Sequence, residues 1–167
     1  MTSSTKERAD VILGLGKLRA ARGDDVVLTS LGLGSCVALC AYDPVTKVGG
    51  MAHMVLPERN SSAREPSPKF VDCAIPMLLA EMSELGAQKG RLVVKLAGGA
   101  QMTAVADGNP LMNIGARNLE AARATLAAMG LRVQAEETGG EHGRTVRLYL
   151  GTGKLMVSTA GGESFEV

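Results

Sequence analysis

The chain has no tryptophan, and only two phenylalanines and two tyrosines among its 167 residues. Proteins that grip single-stranded nucleic acid stack bases on aromatic faces, so a chain this poor in aromatics does not read as one of them. Charge of one sign is also lacking. Eighteen Lys and Arg stand against seventeen Asp and Glu, a net charge of +1. There is thus no global attraction toward nucleic acid, an anionic membrane or an acidic substrate. Long hydrophobic runs are missing as well: each apolar stretch is short and broken by glycine, well under the roughly 20 residues that a membrane helix requires. The opening MTSSTKERAD carries no apolar secretory segment, and the expected location is the cytoplasm. Three cysteines, an odd number, argue against a disulfide framework.

What is present is a globular composition, 46% hydrophobic and 21% charged, in a length that suits one domain with a real core. No repeat and no linker divides the chain. Residues 1–9 read as a mobile tail and 10–167 as a single domain. Strands are expected over Val11–Leu18, Val26–Leu31, Cys36–Tyr42 and Val48–Leu56, with an Asp43-Pro44-Val45-Thr46 turn between the last two. A polar loop, 57–68, follows. From Lys69 to Leu85 the apolar period becomes helical, with Pro76 expected to kink the helix or mark a late start. Arg91–Leu96 reads as a strand, residues 101–112 as irregular, and Asn113–Met129 as a second helix capped by Asn113 and ended by Gly130. Leu131–Ala135 is a further strand, and Thr145–Leu150 with Lys154–Thr159 form a C-terminal hairpin. The predicted fold is α/β or α+β: a mixed sheet, or a pair of sheets, covered by two helices.

The chemistry centres on LGLGSC, Leu31–Cys36. A thiol nucleophile usually works with a histidine, and the chain has two, His53 and His142. His142 lies in a polar loop and reads as solvent-exposed. The point midway between Cys36 and His53 falls between Pro44 and Val45, inside the predicted turn. A tight antiparallel hairpin centred there sets the two residues opposite each other, with Cβ atoms about 5 Å apart on one face, unless a bulge intervenes. A zinc site built from Cys36, Cys40, His53 and Cys73 is disfavoured. Four residues along a strand separate Cys36 from Cys40 by roughly 13 Å, and one ion cannot hold both at its bond length of about 2.3 Å. Cys40 and Cys73 read as small core residues. Gly32 and Gly34 permit a bend whose backbone N–H groups, around Ser35 and Cys36, can converge on a developing oxyanion. A plain connecting bend with a buried cysteine accounts for the same six residues.

The stretch LGLGSCVALCAYDPVTKVGGMAHMVLP, Leu31–Pro57, closely resembles the CheD family of bacterial chemoreceptor glutamine deamidases. The likeness continues through KFVDCAI, KLAGGAQM, NIGARN, ETGGEHGR and TGKLMV and spans nearly the whole chain in order. The resemblance implies hydrolysis of glutamine side-chain amides on the cytoplasmic helices of chemoreceptors, with some members also cleaving glutamyl methyl esters. It also implies a sandwich like the catalytic domain of cytotoxic necrotizing factor toxins, with no metal or organic cofactor. The family nucleophile falls on Cys36, its base on His53, and its third residue, a threonine, on Ser30, whose hydroxyl is expected to orient the imidazole. On this reading His53 raises the thiolate population of Cys36. Lys69, Phe70 and Asp72 at the first helix, and Thr138, Gly139 and Gly140 in the later loop, are candidates for lining the site; helix initiation and turn formation explain them as well. Arg117 and Asn118 read as structural hydrogen-bonders. The resemblance further implies a binding partner, a CheC-type phosphatase. A regulatory binding module with little catalysis is therefore the alternative function, and a protease or transglutaminase-like acyl transferase a more distant one.

Overall fold

The computed structural model describes residues 8–59, 65–102 and 113–167. Ten strands run in the order β1 (Ala9–Ile12), β2 (Leu18–Arg22), β3 (Val26–Leu33), β4 (Val37–Asp43), β5 (Val48–Met54), β6 (Val93–Gly98), β7 (Val133–Thr138), β8 (Arg144–Tyr149), β9 (Leu155–Thr159) and β10 (Ser164–Glu166). Helix α1 (Val71–Glu84) lies between β5 and β6, and α2 (Ile114–Ala128) between β6 and β7. The strands form two five-stranded sheets, ordered β1-β3-β8-β9-β10 and β2-β5-β4-β6-β7. Both are mixed, since β1 pairs with β3 and β6 with β7 in parallel while the remaining pairs are antiparallel.

The layers follow from the side chains of β4 and β5, every residue of which is buried. A strand solvated on one face alternates, whereas one covered on both faces does not. Val37, Leu39 and Ala41 face α1 and α2, in a core with Ile75, Leu78, Met82 and Leu126. Cys36, Ala38, Cys40 and Tyr42 face the other sheet, in a core with Leu28, Val146, Leu148 and Leu155. Two adjacent glycines bring the layers together. A Cβ on Gly49 would lie 2.1 Å from Leu150 Cδ2, and one on Gly50 would lie 2.7 Å from Met82 Sδ. Each omitted side chain admits a side chain from the layer on that side.

The helices, the β4–β5 hairpin and the C-terminal hairpin lie where the sequence predicts them. The single strand expected over Val11–Leu18 is instead two strands in different sheets. Gly16, at φ +69°, lets the chain cross between the sheets, a backbone shape that residues with a Cβ rarely adopt. The tail expected over 1–9 lies outside the described residues up to residue 7, and Ala9 already belongs to β1. Residues 60–64 of the predicted loop and 103–112 of the irregular stretch also lie outside the described residues. Helix α1 runs through Pro76, which sits on its exposed face, where water can reach the carbonyl that proline leaves unbonded. Cys73 is half-buried and not the core residue that the sequence suggests.

The turn that joins β4 to β5 is fixed by Asp43. Its fully buried carboxylate accepts from Val45 N, Thr46 N and Gln88 N and takes Arg91 in a forked contact, with Nη2 at 2.9 Å and Nε at 3.1 Å. The Arg91 guanidinium, helped by the backbone amides and opposed by burial, holds the Asp43 carboxyl well below the usual carboxylate range. A carboxylate whose pKa is lower in the folded state contributes stability above its unfolded pKa of about 3.9 and loses it as pH falls below that value toward the folded one. Asp43→Ala is expected to lower unfolding stability by about 3 kcal/mol in urea denaturation at pH 7. The gap to wild type should narrow as the pH is taken below about 4; a gap that stays constant with pH contradicts this account.

Candidate active site

Cys36 lies between a bulged strand and a regular one. The β3–β8 register shifts between Ser30 and Leu33, where Leu31 and Gly32 turn outward to solvent and Gly32 adopts φ +59°. The bend Gly34-Ser35 then delivers Cys36 to the start of β4. Three consecutive carbonyls of this segment are engaged: Gly34 O by Ala100 N at 2.9 Å, Ser35 O by Asn118 Nδ2 at 2.9 Å, and Cys36 O by Gly99 N at 2.8 Å. In a trans peptide the N–H points opposite to the carbonyl of the same plane. Holding the Gly34 and Ser35 carbonyls against Ala100 and Asn118 therefore turns the N–H groups of Ser35 and Cys36 the other way. The bend predicted from Gly32, Gly34 and Ser35 is present, with these two N–H groups turned away from Ala100 and Asn118.

His53 is buried near the end of β5. Its Nδ1 lies 3.1 Å from the Leu13 carbonyl oxygen. A carbonyl only accepts, so Nδ1 carries the proton and Nε2 carries the lone pair. Nε2 is buried and, among the described residues, has no hydrogen-bond partner. The His53 backbone is gripped on both sides by the crossing segment, with its N–H donating to Lys17 O and its carbonyl accepting from Gly16 N, each at 2.9 Å.

Three expectations about this pair are corrected. The first concerns register. His53 stands opposite Ala38, and Cys36 lies two residues further along, on the same face. The last pair is Asp43 with Val48, so four residues make the connection, Lys47 closes it at φ 58°, and the hairpin is centred one residue later than predicted. Cys36 and His53 are diagonal neighbours, about 7 Å apart. The second concerns charge. Burial raises the Cys36 thiol pKa, against a smaller opposing effect of its own backbone amide. Burial lowers the His53 pKa, against its bond to Leu13. Burial thus favours the neutral form of each group, against the expectation that His53 raises the thiolate population of Cys36. The third concerns Ser30. It is fully buried, and its hydroxyl donates to Met51 Sδ at 3.2 Å, while the imidazole is oriented by Leu13. Thr29 points to the opposite face of β3, where its hydroxyl is buried and, among the described residues, has no partner.

The remaining predicted residues surround the site without entering it. The Lys69 carbonyl accepts from Val55 N and Leu56 N, Phe70 bridges to Leu56, and Asp72 accepts from Arg59 N; together they brace the segment that follows His53. Thr138 pairs with Gly98, Gly139 N donates to Gly98 O, and Gly140 O accepts from Gln101 N. This trio therefore fixes the glycine loop that in turn fixes Cys36. His142 is exposed. Among the described residues, no group of three or more His, Cys, Asp or Glu is placed to hold a metal ion. A cavity of about 310 Å³ lined by Arg8, Asp24, Tyr149 and Lys154 lies at the other end of β3 from Cys36.

Sequence reasoning passes over two contributors. The Leu13 carbonyl is backbone just past the end of β1, in the segment that crosses from the other sheet, and no side-chain pattern signals it. Arg144 is buried, with Nη1 3.4 Å from Gly98 O and Nη2 3.5 Å from Glu137; in sequence it looks like any loop arginine.

Comparison with known proteins bears on what this arrangement does. Residues 55–159 match the family model described as CheD chemotactic sensory transduction. The chain is 46% identical over 151 residues to a probable chemoreceptor glutamine deamidase CheD of Symbiobacterium thermophilum, covering 89% of this chain and 92% of that one. It is 43% identical over 157 residues to the chemoreceptor glutamine deamidase CheD of Thermotoga maritima, covering 93% and 96%. A probable member from Pyrococcus abyssi is 43% identical over 159 residues, covering 94% and 96%.

Proposed function

Because the chain belongs to the CheD family, we propose that it deamidates glutamine side chains of chemoreceptors, with Cys36 as nucleophile and His53 as base. The observation that carries the chemistry is His53 Nε2: a buried nitrogen with its lone pair free and no partner among the described residues, on the face that also carries Cys36. An unpaired buried acceptor is costly for folding alone, and an acceptor is what a thiol nucleophile needs.

The steps balance without a cofactor. A glutamine carboxamide between the two groups lets the Cys36 thiol give its proton to Nε2 as sulfur attacks the carboxamide carbon. The N–H groups of Ser35 and Cys36 face the oxygen as it gains charge. Collapse of the tetrahedral intermediate breaks the C–N bond, and the imidazolium passes its proton to the departing ammonia. Water then gives a proton to Nε2 as it attacks the thioester carbon, the C–S bond breaks, and the thiol is restored with glutamate as product. Ser30 supports this arrangement through Met51, whose neighbour two positions along the strand is His53. The chemoreceptor is the macromolecular substrate that the relatives' names supply. Exposed Ile12, Leu15, Leu31 and Met102 flank the segments that hold the site, and they suit a protein surface better than a small polar molecule. No described helix is long and apolar enough to cross a membrane, and the reading places the protein at the cytoplasmic helices of the receptor. A CheC-type phosphatase is a second partner by family analogy.

The test is ammonia release, with mass spectrometry of a chemoreceptor cytoplasmic fragment mixed with the protein, across pH. Glutamines should become glutamates, and kcat/KM should fall on the acid side with a midpoint below about 6.5, because only neutral His53 accepts the proton and burial lowers its pKa. An acid limb above that value, or a rate that keeps climbing through the thiol's raised pKa, removes the neutral-pair mechanism. Silence on several receptors removes the amidase reading and leaves the binding role. Peptide cleavage or amine incorporation points to the other two acyl-transfer chemistries.

A further inference from the structure

We infer that Asn118 is a positioning residue for the reaction, acting by fixing the peptide plane between Ser35 and Cys36; the inference rests on the proposed amidase reading. Asn118 is fully buried on α2. Its single amide nitrogen donates to two carbonyls, Ser35 O and Val55 O, each at 2.9 Å. The first belongs to the plane whose other edge is the Cys36 N–H. The second lies two residues beyond His53 on the segment that continues β5. One side chain thus joins the backbone that presents the nucleophile to the backbone that presents the base, and holds the strand ends in register where the β4–β5 ladder stops.

Two further observations support this role. Among the described residues, Asn118 Oδ1 is buried with no partner, so the side chain is placed for its donors at the expense of its acceptor. A residue selected only for packing would not leave that atom orphaned. Helix α2 is also held unusually close to the site. A Cβ on Gly115 would lie 2.5 Å from Ala100 O and 2.6 Å from Gly99 O, so the first turn of α2 rests directly on the loop that bonds Gly34 and Cys36. Asn118, one turn later, is delivered to Ser35 by that contact. Rotation of the Ser35–Cys36 plane would swing the Cys36 N–H off the oxyanion, whereas it would leave the sulfur and its access to solvent largely as they are.

This separation gives a readout that a purely structural role would not produce. Iodoacetamide alkylation of Cys36 is displacement at a saturated carbon and forms no oxyanion; deamidation does. Asn118→Ala and the volume-preserving Asn118→Leu are compared with wild type for kcat, KM, alkylation of the Cys36 peptide and thermal unfolding. The expected result is a kcat lower by about 10- to 100-fold, short of the roughly 100- to 1,000-fold loss when an oxyanion donor is removed outright, because the N–H is tilted and not deleted, with KM and alkylation rate within about twofold of wild type. A kcat within twofold of wild type overturns the inference, as does a parallel fall of kcat and alkylation. Loss of the unfolding transition in both variants also overturns it, since Asn118 is then a residue of stability. Failure of the wild-type protein itself to release ammonia is a different result and counts against the amidase reading.

Discussion

Cys36→Ala is expected to reduce ammonia release from a chemoreceptor fragment by about 10^4-fold or more, the size of effect seen when the nucleophile of a catalytic unit is removed. Folding should change little. Cys36 is 8% exposed at the edge of the inter-sheet core, and deleting one sulfur there costs on the order of 1 kcal/mol. Cys40 is the control that makes the result specific. It lies on the same face of β4, but deep in the core, where burial pushes its thiol up to about 12 against a weaker opposing pull from Lys95. Cys40→Ala should therefore lose stability in urea denaturation and keep its rate, whereas Cys36→Ala should keep its stability and lose its rate. Retained deamidation in the Cys36 variant would end the thioester mechanism, whatever else the protein does.

Gly98→Ala is expected to be the most damaging substitution outside the pair itself. Gly98 has φ +103°, and an added Cβ would lie 2.3 Å from Cys36 O and 3.4 Å from Val37 Cα. Both obstacles are backbone, so no side-chain rotation can relieve the clash. Left-handed backbone strain and overpacking each cost about 1–2 kcal/mol, which suggests a stability loss near 3 kcal/mol. The relief available is a shift of the Cys36 segment away from β6, and displacement of a reacting group by about 1 Å is enough for a 100-fold loss of rate. Gly90→Ala, where nothing lies within 4 Å of the added carbon, is the silent comparison. Urea midpoints and ammonia assays on the two variants decide the matter: if Gly98→Ala matches Gly90→Ala in both, the close approach of β6 to Cys36 is not what positions the nucleophile.

These two substitutions show the division between what the chain announces and what its folding decides. Local patterns, which depend only on neighbouring residues, are legible. Helical periodicity locates α1 and α2, the Asp43-Pro44 turn locates the β4–β5 hairpin, and the strand alternation puts Cys36 and His53 on one face. The family resemblance identifies the same pair. Where an outcome depended on a contact between distant segments, the sequence alone misled. Val11–Leu18 reads as one strand because apolar residues recur through its glycines; only the pairing of its two ends with different sheets divides it around Gly16. The predicted hairpin centre is off by one residue because turn length is set partly by the buried Asp43–Arg91 contact, made with a residue 48 positions away.

The electrostatic state of the site belongs wholly to the tertiary structure. Side-chain identity suggests a histidine that ionises a cysteine, yet burial between the sheets disfavours both charges. Hydroxyl chemistry suggests Ser30 as the orienting residue, yet the atom that fixes the imidazole is a backbone carbonyl, Leu13 O, which every residue possesses and no motif can mark. The sequence by itself determines the family, and it singles out Cys36 and His53 and their shared face. The proton's place on His53, the direction of the Cys36 N–H and the clamp at Asn118 are decided only when the two sheets and α2 close around them, because hydrogen-bond geometry and desolvation are properties of packed neighbours and not of adjacent residues.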